Sequence, residues 1–220
     1  MRKFLFIFVL CYPCMIFGQD FRKVSWKMSK DEVQKIETAD NKGKIHDDTL
    51  DYKVSINDYD FDLQYLFTQS DKLYAASYYR QFIDNSYMNS YLSQKNFFLK
   101  MKDELDLKYG NSILINKDDD ILFFYDNKIK RIRKYVNYDI EDFLDENEST
   151  NSVDYKNFAK NLFVIGYTYC LKYITDKTII CLYVQQEGEN IHQEIMYSEK
   201  SAYEYMNQEI KQEVIKNSDL

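Results

Sequence analysis

Tyr59-Asp60-Phe61-Asp62-Leu63-Gln64-Tyr65-Leu66-Phe67-Thr68 decides how the chain folds. Tyr59, Phe61, Leu63, Tyr65 and Phe67 take alternate positions, with Asp60, Asp62 and Gln64 between them. That period of two marks a strand with one apolar face and one wet face. Upstream, Tyr52, Val54 and Ile56 alternate in the same way, and Asn57-Asp58 supplies a turn. Downstream, Gln69-Ser70-Asp71 turns the chain into residues 73–82, where Tyr and small residues alternate. Three antiparallel strands in a meander are predicted.

The same pattern returns later. Residues 162–173, 178–185 and 191–197 read as three strands, with turns near Thr175-Asp176 and Gly188-Glu189. Each block has its own helix signals. Ser29 and Glu32 carry the S-x-x-E spacing of a capping box ahead of Val33 and Ile36, and Met28 and Val33 stand where a hydrophobic staple closes. A helix of two turns is unstable alone and must dock on the sheet, with Trp26 as its anchor. Phe98, Met101, Leu105 and Tyr109 fall at helical spacing over residues 89–109, and Gly110 is placed as a stop. Ser201 and Glu204 repeat the capping-box spacing before Tyr203, Met206, Ile210 and Val214, a terminal amphipathic helix.

The expected architecture is α+β: antiparallel β-sheet meanders with helices packed on one face, in tandem α-β-β-β modules. Residues 19–84 form the first module and residues 85–220 the second, although no residue repeat is visible. Residues 111–160 are an insertion. Within it, residues 113–115 and 121–125 look like a strand pair, followed by a basic run (Lys128, Lys130, Arg131, Arg133, Lys134) and then an acidic one.

The chain opens with Arg2 and Lys3, then mostly apolar residues 4–17, then Gly18-Gln19-Asp20. This matches a secretory signal over residues 1–18, cut after Gly18. Its apolar run spans about 21 Å as helix, short of the roughly 30 Å hydrocarbon slab, and contains Pro13. The lipoprotein alternative needs a small residue before a cysteine, whereas Leu10 precedes Cys11 and Pro13 precedes Cys14. The expected location is periplasmic or secreted. No later segment is apolar for long enough to cross a membrane as a helix. Net charge is −7, and cleavage removes two basic residues, which argues against a nucleic-acid partner. Cys170 and Cys181 remain after cleavage and flank the hairpin near Thr175. They form either a disulfide, which exported chains favour, or two buried thiols separated by a one-residue register slip.

Trp26-Lys27-Met28-Ser29-Lys30-Asp31-Glu32-Val33 resembles the W-G-M-S-x-x-E-V opening of small exported bacterial proteins. It is similar to the first helix of the outer-membrane-lipoprotein family typified by BamE, and of the β-lactamase-inhibitor-protein fold. Phe17-Gly18-Gln19 is similar to signal cuts common in Bacteroidota. The resemblance implies helices on an antiparallel sheet, protein-binding roles in the cell envelope and no catalysis. Lys27 replaces the usual Gly and no lipidated cysteine is present, so membrane anchoring is not implied.

Chemistry-bearing residues are sparse. His46 precedes Asp47 and Asp48, which reads as a solvated turn, since a metal site needs three or four converging ligands. Asn116, Asp118 and Asp120 open like a calcium loop, but Ile121 stands at the glycine position and Asn127 at the bidentate glutamate, so an acidic turn is expected. Cys170 or Cys181 with His192 would need an exposed, electropositive thiol, and both cysteines lie in apolar strand context. No phosphate loop or nucleophile elbow appears. No catalytic residue, cofactor or metal is therefore assigned. The leading expectation is a non-enzymatic envelope protein binding another protein through its sheet. Tyr74, Tyr78 and Tyr79 are its candidate contacts, because Tyr offers large area at little entropic cost. Tyr59 and Tyr65 are read as core. The alternative is a small apolar ligand or glycan held on the aromatic sheet. A pocket of several hundred cubic ångströms favours that alternative, and a shallow face favours a protein partner.

Overall fold

Ser29 opens the first helix, α1 (Lys30–Ile36), as its spacing predicts. Its Oγ accepts the Glu32 N–H, and the Glu32 carboxylate accepts the Ser29 N–H at 2.8 Å. A computed structural model describes residues 20–46, 48–115, 125–126, 131–132, 157, 160 and 167–218. In it, α1 precedes β1 (Asp40–His46), β2 (Thr49–Ile56), β3 (Tyr59–Phe67) and β4 (Leu73–Ile83). The chain continues through α2 (Tyr87–Tyr109), β5 (Ile113–Leu114), β6 (Tyr125–Asp126) and β7 (Arg131–Ile132). The last elements are β8 (Tyr167–Ile174), β9 (Thr178–Glu187), β10 (Asn190–Glu199) and α3 (Lys200–Ser218). The signal segment, the calcium-like loop opening and most of the insertion lie outside the described residues.

Eight strands form one antiparallel sheet in the order β1-β2-β3-β4-β10-β9-β8-β5, while among the described residues β6 pairs with β7. The two blocks meet along β4 and β10, which pair from Ile83 opposite Asn190 to Ala75 opposite Ser198. Turn chemistry sets the hairpins. Asn57 and Asp58 both have positive φ, the two-residue loop whose twist suits adjoining strands. Gly188, at φ 57°, turns β9 into β10.

The first block holds one strand more than the three expected. Asp40–His46 pairs with β2 although Asp40, Asn41, Lys42, Gly43 and Lys44 show no apolar alternation. An edge strand is held by backbone hydrogen bonds and needs no such pattern. Ile113 and Leu114 also differ from expectation, pairing with Lys172 and Leu171 of β8 rather than with residues 121–125.

One sheet face carries the main core. Leu63, Tyr65, Ile195 and Leu182 from that face are buried against Phe97, Phe98, Met101 and Leu105 of α2 and Val33 of α1. Removing each α2 phenylalanine ring from water contributes about 2–3 kcal/mol. Trp26 anchors the N-terminal segment, with its Nε1–H donated to Thr178 Oγ1.

The α+β class and antiparallel sheet stand as predicted, but the helices do not all share one face. Tyr203 of α3 is buried with Ile179, Cys181 and Tyr183, whose side chains point away from α2. The cause lies in β9. Ile179, Cys181 and Tyr183 alternate with Ile180, Leu182 and Val184, so the strand is apolar on both sides and needs two covers. The helix starts at Lys200, directly after β10, so Ser201 stands inside its first turn rather than at its cap.

Candidate functional site

The strand register arranges side chains on the face opposite α2. Asp62, Tyr79, Glu194 and Tyr183 stand in one cross-strand row, and Gln81, His192 and Gln185 stand in the next. Diagonal and direct neighbours on such a face lie within reach of long side chains. His192 is the hub. With the Gln81 amide assigned this way round, its Nε2 donates to His192 Nδ1 at 2.7 Å, leaving His192 Nε2–H to donate to Glu194 Oε2 at 2.8 Å. Tyr79 lies parallel to the imidazole, with ring centroids 6.4 Å apart, and Tyr183 meets it edge-on at 5.3 Å. Tyr183 donates its hydroxyl to Gln185 Oε1. Burial first, then the carboxylates of Asp62, Asp51 and Glu194, raises the Tyr79 phenol above its ordinary value. Tyr79 therefore stays protonated.

Beside this cluster runs a half-open groove of about 740 Å³. β4 contributes Ala75, Gln81 and Ile83, β10 contributes His192, Glu194 and Met196, and β9 contributes Tyr183 and Glu187. The α3 helix, which covers only part of this face, adds Met206. Two carboxylates, an imidazole and amides thus punctuate an otherwise apolar and aromatic lining. Ile83 at the strand end is 73 % exposed. The volume falls within the usual range for small-molecule sites.

The tyrosines singled out in the sequence separate. Tyr79 belongs to the cluster, and Tyr74 lines the groove, its phenol raised by burial and then by the Asp48 carboxylate. Tyr78 is not a surface contact. It is 8 % exposed, packed against Phe21 and Tyr197 on the α2 side, because alternation places it opposite Leu63 and Ile195. Tyr65 is fully buried, as read, and Tyr59 packs on Phe97 at the core margin.

Of the two readings for Cys170 and Cys181, the structure has the second, two buried thiols with no bridge. The register sets Cys170 opposite Tyr183 and Cys181 opposite Lys172, so the two are diagonal neighbours, and both are buried thiols. The turn encloses residues 175–178, two more than a direct pairing of the cysteines requires, so the register carries the sulfurs past each other by two positions on the same face. Neither is hydrogen-bonded to His192, both of whose ring nitrogens are engaged by Gln81 and Glu194. His46 ends β1 rather than a turn. Among the described residues no three His, Cys, Asp or Glu side chains converge as a metal site.

Gln81, Tyr183, Gln185, Glu187 and Glu194 escaped the sequence reading. Each is ordinary in its own strand, and only the β4–β10 pairing, between segments over a hundred residues apart, gathers them. The signal that was available is the doubly apolar β9, which implies a helix on this face and hence a step at its edge. Comparison with protein-family models, with curated proteins and with solved structures finds no match.

Proposed function

We propose that the chain is a non-enzymatic binding protein of the cell envelope that holds a small, largely apolar ligand in the groove between its open sheet face and α3. The observation that carries this reading is the groove itself: about 740 Å³, half-open, with a few polar side chains converging on one wall. The basic start and apolar run of residues 2–17 support export to the periplasm or beyond. A binding role without catalysis accords with the resemblance to envelope and inhibitor folds and with the engagement of His192 by Gln81 and Glu194.

The test uses 1-aminoanthracene, a neutral probe whose fluorescence rises in apolar sites. Saturable binding at one equivalent is expected, and Gln81→Trp, at an exposed groove position, is expected to abolish it. Absence of saturable binding, or binding indifferent to Gln81→Trp, overturns the reading. A second reading, a protein partner laid across the same face, is favoured by Ile83, an aliphatic side chain 73 % exposed on the groove rim. Its signature is a single protein retained from envelope extracts by the wild-type chain and released by Ile83→Glu.

A further inference from the structure

We infer that the groove selects a cationic amphiphile: an organic ammonium group carried on an apolar body. This deepens the ligand-binding reading above and rests on it. Among the described lining residues there is no Lys or Arg, while Glu187 and Glu194 both contribute carboxylates. Glu194 is hydrogen-bonded by the His192 Nε2–H rather than by a lysine or arginine. Across the strands it stands directly between Tyr79 and Tyr183. An ammonium group entering there meets a carboxylate flanked by two aromatic side chains, of which Tyr183 lines the groove. Those are the two features that recognise alkylammonium ions, and they repel carboxylates. Asp62 adds a second carboxylate to the same row beyond Tyr79, with Lys53 paired to it at 3.8 Å on its far side.

The apolar part of the lining fixes the other half of the ligand. Leu66, Ala75, Ile83, Met196 and Met206 offer aliphatic and thioether surface along the groove, and methionine adapts to chains of varied shape. A neutral sugar would leave these groups uncovered. A fatty acid would bring its charge against Glu194. Among the described residues, a compact inorganic cation would find no third ligand. Tail on the aliphatic surface and ammonium among Tyr79, Tyr183 and Glu194 is the arrangement that pairs every feature of the site.

The experiment compares three probes with one tail: decyltrimethylammonium, decanol and decanoate, each titrated calorimetrically below its micelle concentration. The ammonium is expected to bind about tenfold tighter than decanol, with decanoate weakest. Glu194→Gln is expected to erase most of the gap between ammonium and decanol. Tyr79→Leu, which removes an aromatic ring directly across from Glu194, is expected to narrow the same gap should the first variant fold poorly. Equal affinity for all three, or a preference for decanoate, overturns the cationic assignment while leaving the groove a ligand site. Binding of none of them overturns the ligand-site reading itself.

Discussion

Trp26 Nε1 donates a hydrogen bond to Thr178 Oγ1 at 2.9 Å in a buried contact between residues 152 positions apart. The segment that leads into α1 is thereby fastened to the start of β9, in the second block. Neighbouring backbone bonds reinforce it: Lys27 N–H to Leu73 O at 2.8 Å and Leu73 N–H to Met28 O at 2.9 Å. The N-terminal segment therefore seals the seam where the two meanders share a sheet.

Breaking that contact destabilises the whole domain rather than its N-terminus alone. Trp26→Phe keeps the apolar ring but leaves the Thr178 hydroxyl without its donor, for an expected cost of about 1–3 kcal/mol. Thr178→Val is expected to cost a similar amount, and the double variant less than the sum. Urea unfolding of the four proteins measures this, and strict additivity would show that the bond carries no coupling.

Glu37 makes stability depend on acid. Burial pushes its carboxyl up, but the Tyr65 hydroxyl, the Ala39 and Thr38 N–H groups and the Arg22 guanidinium together hold it below the ordinary value of 4.5. A carboxyl depressed in the folded state stabilises the fold above its unfolded value, and that stabilisation is lost as pH falls through the folded value. Melting temperature should fall as pH drops below about 4.5, and Glu37→Gln should flatten that dependence while lowering stability at neutral pH by about 2 kcal/mol. An unchanged acid slope in Glu37→Gln would assign the dependence elsewhere.

Local signals were legible where one residue type controls local geometry. Ser29 and Glu32 cap α1, Asn57 and Asp58 turn β2 into β3, and Gly110 at φ 84° ends α2, all as their spacing implies. Alternation identified β3 because one of its faces is wet. The reading of Tyr78 as a partner contact, for its large ring, fails because its register partner Leu63 is fully buried and Tyr78 shares that face. Edge strand β1 left no apolar trace, and the β4–β10 seam left none either, because pairing between distant segments depends on backbone groups that every residue shares. The groove inherits that opacity. His192 was visible as a lone histidine, but its partners Gln81 and Glu194 acquire meaning only across the seam.

Thiol chemistry distinguishes a bridge from its absence. Cys170 and Cys181 are 3 % and 0 % exposed and not joined. In the protein spanning residues 19–220, a thiol reagent should find no reactive group in the native state and two after denaturation. Reductant should leave the melting temperature unchanged. A disulfide closing this short hairpin would instead make stability sensitive to reductant by roughly 2–3 kcal/mol.

Helix α3 gives the sharpest test of the two-sided sheet. Tyr203 is 2 % exposed beneath it, against Ile179 and Cys181, whereas Tyr205, two positions on, is 61 % exposed. Truncating the buried ring leaves a cavity that the rigid β9 floor cannot collapse to fill, so Tyr203→Ala should cost about 3 kcal/mol. Tyr205→Ala should leave the unfolding midpoint where it is. Met206 lies on the same helix and lines the groove, so loosening α3 should also weaken 1-aminoanthracene binding in Tyr203→Ala but not in Tyr205→Ala. Equal effects of the two substitutions would mean that α3 does not dock on the face opposite α2, and the groove it borders would lose one of its walls.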